Sequence, residues 1–274
     1  MLGRAVHDAI PPVSLAFWRW TLAALIVVPL VWKKLRANWP LLRAHLGRMT
    51  ALAILGVTGF NTLVYTGLQS TTATNSVLVQ STMPVQIFIL NAVLFGVAVT
   101  AREFFSILLS LSGVVLIISA GQPQNLLLGN WNPGDLWILA AALVWASYSV
   151  LLRWRPAGLD AGAFLGFILL VGWVALAPLY AMENASGATL TWNLPVVLTV
   201  LYVAIFPSAL AYVFWHRGVA AIGANAAGHF IHLMPVLGTA LAMLFLGEVF
   251  RWYHGIGALM VGAGIAVTWH AGRA

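Results

Sequence analysis

The sequence predicts an all-α polytopic membrane protein: a ten-helix architecture of two inverted five-helix repeats, with the first helix largely absent from this chain. Three observations carry that prediction. Of 274 residues, 62% are hydrophobic and only 7% charged, whereas an ordinary soluble domain is about half apolar and roughly a quarter charged. Several long apolar stretches approach the roughly 20 residues that a helix needs to cross a hydrocarbon core about 30 Å thick. Glycines and prolines recur at a constant offset along the chain.

The apolar stretches lie near 12–33, 47–67, 74–97, 104–121, 135–154, 161–182, 195–217, 222–247 and 253–271. Loop chemistry separates them: Lys33-Lys34-Leu35-Arg36, Gly121-Gln122-Pro123, Asn132-Pro133-Gly134, Arg155-Pro156 and Glu183-Asn184. In lipid every backbone polar group needs an internal partner, so only helices and closed barrels span a membrane. These runs are too long and too continuously apolar for barrel strands.

The repeat is read from particular residues. Gly67, Pro84, Gly96 and Gly113 recur as Gly218, Pro235, Gly247 and Gly264, each 151 residues later, and Met83-Pro84-Val85 returns as Met234-Pro235-Val236. Toward the N-terminus the offset is 149, pairing Arg4 with Arg153 and Pro29 with Pro178; a two-residue difference in a loop accounts for the slip. The spacing divides the chain into a first repeat over 1–121 and a second over 134–272. In the second, the apolar run from Gly134 to Val150 precedes Arg153, and its counterpart would lie upstream of Met1. The expectation is a first helix that is largely missing, through trimming or a misplaced start codon, with a natural nine-helix protein as the competing reading.

An odd number of helices per repeat inverts the second copy, and loop charges orient both. With the missing N-terminus placed in the cytoplasm, Lys33, Lys34, Arg36, Arg43, Arg48, Arg102, Arg153, Arg155, Arg217 and Arg273 fall inside, and only Arg4 and Arg251 outside. Short loops rich in Lys and Arg are cytoplasmic. Both termini are therefore expected in the cytoplasm, with the halves related by a pseudo-two-fold axis in the membrane plane. The net charge of +7 is explained by this bias, and no nucleic-acid partner is implied.

The chain has no cysteine, which removes disulfides and thiolate chemistry. It has no Walker, HExxH or nucleophile-elbow motif, so ATP hydrolysis, zinc proteolysis and acyl transfer have no support. Neither enzyme activity nor a cofactor or metal is expected. The carboxylates Asp8, Glu103, Asp135, Asp160, Glu183 and Glu248 all fall near helix ends or loops, leaving no acid deep in the bilayer.

Polar residues inside apolar helices tend to face the bundle interior or a water-filled path. Asn61 and Tyr65, one turn apart, map at the 151 offset onto Tyr212 and His216, so the two pairs are expected on opposite walls of a central cavity. The alternative is interfacial anchoring by the tyrosines and interhelical bonding by Asn61. Asn225, His229 and His232 share one helical face and suit cargo contact, a proton-linked role or interhelical bonding; no cysteine or carboxylate lies nearby in sequence to complete a metal site. Gln80 interrupts an apolar run beside Pro84. Pro84 and Pro235, at matching mid-helix positions where each removes a backbone bond, are candidate hinges, or static kinks that shape the cavity. Trp145 and Tyr148 lie deep in their helix and are expected on the cavity wall. Arg19, between Trp18 and Trp20, is expected to snorkel to the headgroups rather than attract an anion. Ala258, Gly262 and Ala266 are expected to form a tight helix-packing face, either within the fold or between subunits.

Met234-Pro235 followed by Leu244-Phe245-Leu246-Gly247-Glu248, the Gly255-Ile256-Gly257 to Gly262-Ala263-Gly264 tail and the Phe17-Trp18-Arg19-Trp20 opening resemble signatures of the drug/metabolite transporter superfamily with EamA-type repeats. The resemblance covers the whole chain. One departure is Val97 at the position matching Glu248, which undercuts any symmetric role for that glutamate. The resemblance implies a five-plus-five inverted-repeat exporter of small metabolites in the bacterial inner membrane. It also places Asn61, Tyr65, Gln80, Trp145, Tyr148, Tyr212, His216, His229 and His232 on cavity-forming helices. The aromatic-rich centre is similar to that of YddG-type exporters of aromatic amino acids. Together these readings imply alternating access with amino acids, including aromatic and neutral ones, as the leading cargo. A channel-like facilitator, or a carrier of nucleobases, sugars or drugs, is the alternative. Lipids and the cargo are the expected partners, and the assembly a monomer or weak homodimer.

Overall fold

The computed structural model describes residues 9–124, 133–188, 190–246 and 249–271, and Arg4, Asp8, Trp131, Asn132, Gly247, Glu248 and Arg273 lie outside them. Among the described residues every regular element is helical. Helix α1 (Pro12–Ala37) starts with proline in its first turn, where a missing N–H costs nothing. The free amides of Val13 and Ser14 donate to the Glu183 carboxylate, at 2.9 and 2.6 Å. The six-residue α2 (Trp39–Ala44) is too short for hydropathy to reveal, and it buries only Leu42. Next come α3 (Leu46–Ala53), a π-helical turn (Ile54–Gly59) and α4 (Phe60–Ser70), which run on as one segment. They are followed by α5 (Ala73–Gln80), α6 (Met83–Phe95) and α7 (Ala101–Ile118). Thr100 and Glu103 cap α7 reciprocally.

The second half opens with α8 (Pro133–Leu151) and α9 (Ala161–Ala185). Asp160 caps α9, accepting from the Gly162 and Ala163 amides at 2.8 and 3.1 Å. Burial pushes that carboxyl up; the Ala163 amide, the Lys34 ammonium and the Gly162 amide outweigh it and hold it below the usual carboxylate range. Then follow α10 (Leu194–Ala204), a second π-helical turn (Ile205–Leu210), α11 (Ala211–His229), a 3₁₀ turn (Phe230–His232), α12 (Leu233–Leu246) and α13 (Trp252–Ala271). Among the described residues, seven stretches are long and apolar enough to cross a membrane, and Trp252–Thr268 is a shorter apolar helix. One of the seven, Leu194–Leu241, has 48 residues and would measure roughly 70 Å if straight, over twice the hydrocarbon core. It is not straight. Gly223 inside α11 sits at φ 80° and ψ 161°, a conformation that glycine alone adopts cheaply, and there the chain doubles back.

The repeat is visible in the backbone. Both halves carry a π-helical turn, beginning at Ile54 and at Ile205, which are equivalent positions at the 151 offset. Pro29 in α1 and Pro178 in α9 are likewise interior to their helices. Equivalent helices pack on each other in antiparallel pairs. In one pair Ser106 meets Gly264, Ser110 meets Val261 and a Cβ on Gly113 would meet the Gly257 carbonyl. In the other, Ser14 meets Glu183, Phe17 meets Tyr180 and Thr21 meets Trp173. Antiparallel packing of equivalent helices makes one repeat the inverse of the other. The bundle is therefore built on an inverted repeat about a pseudo-two-fold axis.

Two details differ from the sequence reading. The close α7–α13 contact is made by Gly257, Val261 and Gly264, and nothing described stands within 4 Å of a Cβ at Gly262; the tight face is thus turned away from the Ala258–Gly262 stripe. The halves also differ in one wall. A Cβ on Gly67 would meet Ile138 and the Gly134 carbonyl of α8, while among the described residues nothing lies that close to its equivalent, Gly218.

Lys34, Arg155, Asp160 and Arg217 line one cleft, and Arg153 and Arg155 a neighbouring one, so these basic loop residues gather at one end of the bundle. A charge contact there, Lys34 to Asp160 at 3.2 Å, is largely exposed and stabilises little.

Candidate functional site

Helices α1, α4, α5, α8, α11 and α12 converge on a cavity of about 680 Å³ between the repeats. The chain folds this way locally because neither half packs with regular helix throughout. In a π-helical turn the ladder gains a residue and loses alignment, which frees carbonyls. In the first half the Gly56 carbonyl accepts a hydrogen bond from the Tyr212 hydroxyl, and in the second the Pro207 carbonyl accepts one from Arg19. Gly56 and Pro207 are equivalent at the 151 offset, so each repeat lends a loosened carbonyl to the other's side chain.

Of the nine residues predicted to contact cargo, Asn61, Tyr65, Gln80, Trp145 and Tyr212 line this cavity. Aromatic rings form its inner end: the Trp145 centroid lies 4.7 Å from Phe60, 5.5 Å from Tyr212 and 5.4 Å from Trp215. Toward the opposite end the wall reaches Leu68 and Ala73, which flank the turn between α4 and α5, and Phe230 and Met234 on the side are partly open.

The other four do not line it. Tyr148 is fully buried behind the aromatic floor, with its hydroxyl hydrogen-bonded to His216 Nε2. His216 itself faces two further clefts, of about 530 and 300 Å³, at the basic end. His229 is buried with Nδ1 2.6 Å from the Thr268 hydroxyl, and His232 with Nε2 3.0 Å from the Ser81 carbonyl oxygen. Asn225, on the same sequence stripe, meets Asn91 at 2.8 Å. The stripe spans the break at Gly223 and a 3₁₀ turn, and each member bonds a different helix.

The prolines also occupy positions unlike those the sequence suggests. Pro84 is in the first turn of α6, after a break at Ser81-Thr82, and Pro235 follows the 3₁₀ turn into α12. Both begin helices. Ser81 and His232 are equivalent at the 151 offset and bond to each other, so the two broken helices touch at their breaks.

Arg19 is the residue that the sequence reading misplaced. It does not snorkel. It is 5% exposed, lines the cavity and donates in four directions: Nη1 to Asn61 Oδ1 at 2.7 Å and to the Tyr65 hydroxyl at 2.8 Å, Nη2 to the Pro207 carbonyl at 2.8 Å, and Nε to the Ser208 hydroxyl. Its guanidinium also stands 5.0 Å from the Trp20 ring. The signal that could have found it is depth: two helical turns separate it from Pro12.

Below the aromatic floor, the basic end is held shut by Arg153, which donates to Asn91 Oδ1 at 3.0 Å, and by the Asn91–Asn225 bond. The Arg153 guanidinium caps the Phe95 ring at 4.0 Å. A cavity at the join of two inverted repeats, lined by neutral polar and aromatic groups around one buried arginine, is the build of a secondary transporter.

The chain belongs to the EamA-like transporter family, whose model matches residues 1–119 and again 132–269. It is similar to the uncharacterized transporter YyaM of Bacillus subtilis, at 27% identity over 256 residues, covering 93% of this chain and 83% of that protein. It is also similar to a probable terminal-alkyne amino-acid exporter of Streptantibioticus cattleyicolor, at 27% identity over 206 residues, covering 72% of this chain and 65% of the exporter. A solved crystal structure shares the fold, with a TM-score of 0.76 at 22% identity over 99% of this chain and 92% of the other. The protein is thus a multi-pass membrane transporter and not an enzyme.

Proposed function

We propose that this transporter exports small metabolites, foremost amino acids and among them aromatic and neutral ones, across a bacterial-type inner membrane by alternating access. The observation that carries the proposal is the asymmetry of closure. The central cavity extends to Leu68 and Ala73, at the turn between α4 and α5, while the Trp145–Trp215 floor, the Tyr148–His216 pair and the Asn91–Arg153–Asn225 cluster lie between it and the basic end. An inverted repeat closed at one end supports a second state closed at the other.

The cavity's chemistry supports the cargo class. Trp145, Trp215 and Phe60 offer flat apolar surface, and Asn61, Tyr65 and Gln80 offer neutral hydrogen bonds, a combination that orients a small amphipathic molecule. The amino-acid exporter among the relatives points the same way. Lys34, Arg153, Arg155 and Arg217 at the closed end support a cytoplasmic orientation for that end, with both termini of the full-length ten-helix protein on the same side. The breaks before Pro84 and Pro235, in contact through Ser81 and His232, are the flexing points between the halves.

The test is uptake of labelled L-phenylalanine into proteoliposomes, with and without unlabelled amino acid inside. Saturable uptake, accelerated by internal phenylalanine and lost in Trp145→Ala at unchanged yield and folding, is the expected result. Linear, non-saturating flux would show a pore instead.

A further inference from the structure

We propose that Arg19 binds a carboxylate of the cargo, so that the transported molecule must carry one anionic group and need not carry an amine. The inference rests on the reading of the central cavity as the cargo site and adds which end of the cargo that site recognises.

A guanidinium inside a membrane protein is costly unless it is paired. Arg19 is 95% buried, and every acceptor that it touches is neutral: an amide oxygen, two hydroxyls and a backbone carbonyl. Hydrogen bonds satisfy its donors without cancelling its charge. Among the described residues none of the acids approaches it: Glu183 caps α1, Asp160 caps α9, Glu103 caps α7, and Asp135 bonds Thr71. Among the described residues no acidic side chain lines the cavity. Among them the site therefore holds one net positive charge without a counter-ion.

The four neutral acceptors also fix the plane of the fork. Asn61 and Tyr65 grip one nitrogen from α4, while Pro207 and Ser208 grip the other side from the π-helical turn. Of the five guanidinium N–H groups, four are occupied and one Nη2 hydrogen is left over. A carboxylate can take that hydrogen and displace a neutral acceptor such as Tyr65 for a stronger, charge-assisted bond. Charge count narrows the ligand further. Among the described residues Arg19 is the one cation that lines the cavity, which matches a monoanion, whereas a phosphate dianion would call for more than one. The aromatic floor receives the apolar remainder. At the other end of the molecule, a cargo ammonium would find no carboxylate in the lining, only hydroxyls, Gln80 and aromatic faces.

The test measures binding and so does not depend on transport. Thermal stabilisation of the purified full chain in detergent is followed with 3-phenylpropionate, L-phenylalanine, L-phenylalaninamide and phenethylamine. The two carboxylates should stabilise the wild type in a saturable manner, and the two compounds lacking a carboxylate should not. In Arg19→Gln the half-saturating concentration of 3-phenylpropionate should rise about tenfold or more, with Arg19→Lys between the two. If Arg19→Gln does not fold, the wild-type comparison of acid with amide decides alone. Equal stabilisation by the amide, or by no compound of the four, would overturn the proposal, as would unchanged 3-phenylpropionate affinity in a folded Arg19→Gln. If 3-phenylpropionate binds through Arg19 while phenylalanine is not transported, the amino-acid reading fails and the carboxylate site stands.

Discussion

The α7–α13 contact joins the two repeats across the pseudo-axis, and it yields the sharpest prediction about stability. A Cβ on Gly113 would stand 2.6 Å from the Gly257 carbonyl oxygen and 2.9 Å from the Met260 Cβ. Neither is the end of a flexible side chain, so the helices would have to separate by several tenths of an ångström, breaking the close contact that drives helix association in lipid. Overpacking of this kind costs about 1–3 kcal/mol. For a chain of this size each kcal/mol lowers the melting temperature by roughly 2–4 °C, so Gly113→Ala should melt about 2–12 °C below the wild type in detergent. Gly262→Ala is the internal control: it lies on the neighbouring α13 with nothing described within 4 Å, and alanine is the better helix former. The assay is thermal unfolding of both variants side by side, read by circular dichroism. A Gly113→Ala variant that melts with or above Gly262→Ala would refute the packing argument.

Two further predictions concern the closed end. Asn91→Ala removes the acceptor of Arg153 and the partner of Asn225 together, so the basic end should open more often. Because the chain has no cysteine, a single Ser149→Cys, fully buried behind that cluster, can report it; its labelling by a membrane-impermeant maleimide should rise several-fold in the Asn91→Ala background, and an unchanged rate would remove the cluster from the gate. Tyr148→Phe leaves the buried His216 without its partner, costing about 1–3 kcal/mol, whereas Tyr148→Phe with His216→Phe should recover part of that loss. Thermal unfolding of the double-mutant cycle checks it, and strictly additive losses would mean that the two side chains do not act as a pair.

Most of the fold was legible because membrane helices are written in the two signals that sequence displays best, length and hydropathy. The span predicted over 161–182 is Ala161–Ala185 in the structure, and that over 74–97 is Ala73–Phe95. The 151 offset was equally legible, since glycine and proline are fixed by backbone demands that a repeat has to preserve. What hydropathy could not show is the local irregularity on which the site depends. Nothing in Ile54–Gly59 or Ile205–Leu210 marks a π-helical turn, because it arises from packing between halves rather than from residue preference. The side-chain directions of the cavity follow from those turns. His229 and His232 looked like neighbours on a polar stripe, yet the 3₁₀ turn after His229 sends them to Thr268 and to Ser81. Arg19 was discounted because snorkelling is what most arginines near a helix end do, and only the tertiary placement of Ser208 and Asn61 shows otherwise.

Symmetry and chemistry diverge at the centre of the molecule, and the divergence bears on mechanism. The framework is symmetric: paired π-helical turns, paired carbonyls at Gly56 and Pro207, paired helix breaks at Ser81 and His232. Such a framework can exchange two states related by the pseudo-two-fold axis at little energetic cost, because each half adopts in one state what the other adopts in the second. The side chains laid on it are not symmetric. The position equivalent to Arg19 at the 149 offset is Ile168, fully buried among apolar neighbours, and Asn61 is matched by Tyr212. The charge is therefore off the axis and belongs to one repeat alone. In the proposed rocking of the halves, the Asn61 and Tyr65 bonds to Arg19, all within the first repeat, can persist. Those to Pro207 and Ser208 bridge the repeats and must stretch or re-form. A cargo carboxylate at Arg19 would change the strength of that inter-repeat link, which gives the transporter a physical route by which occupancy of the cavity alters the balance between its two states.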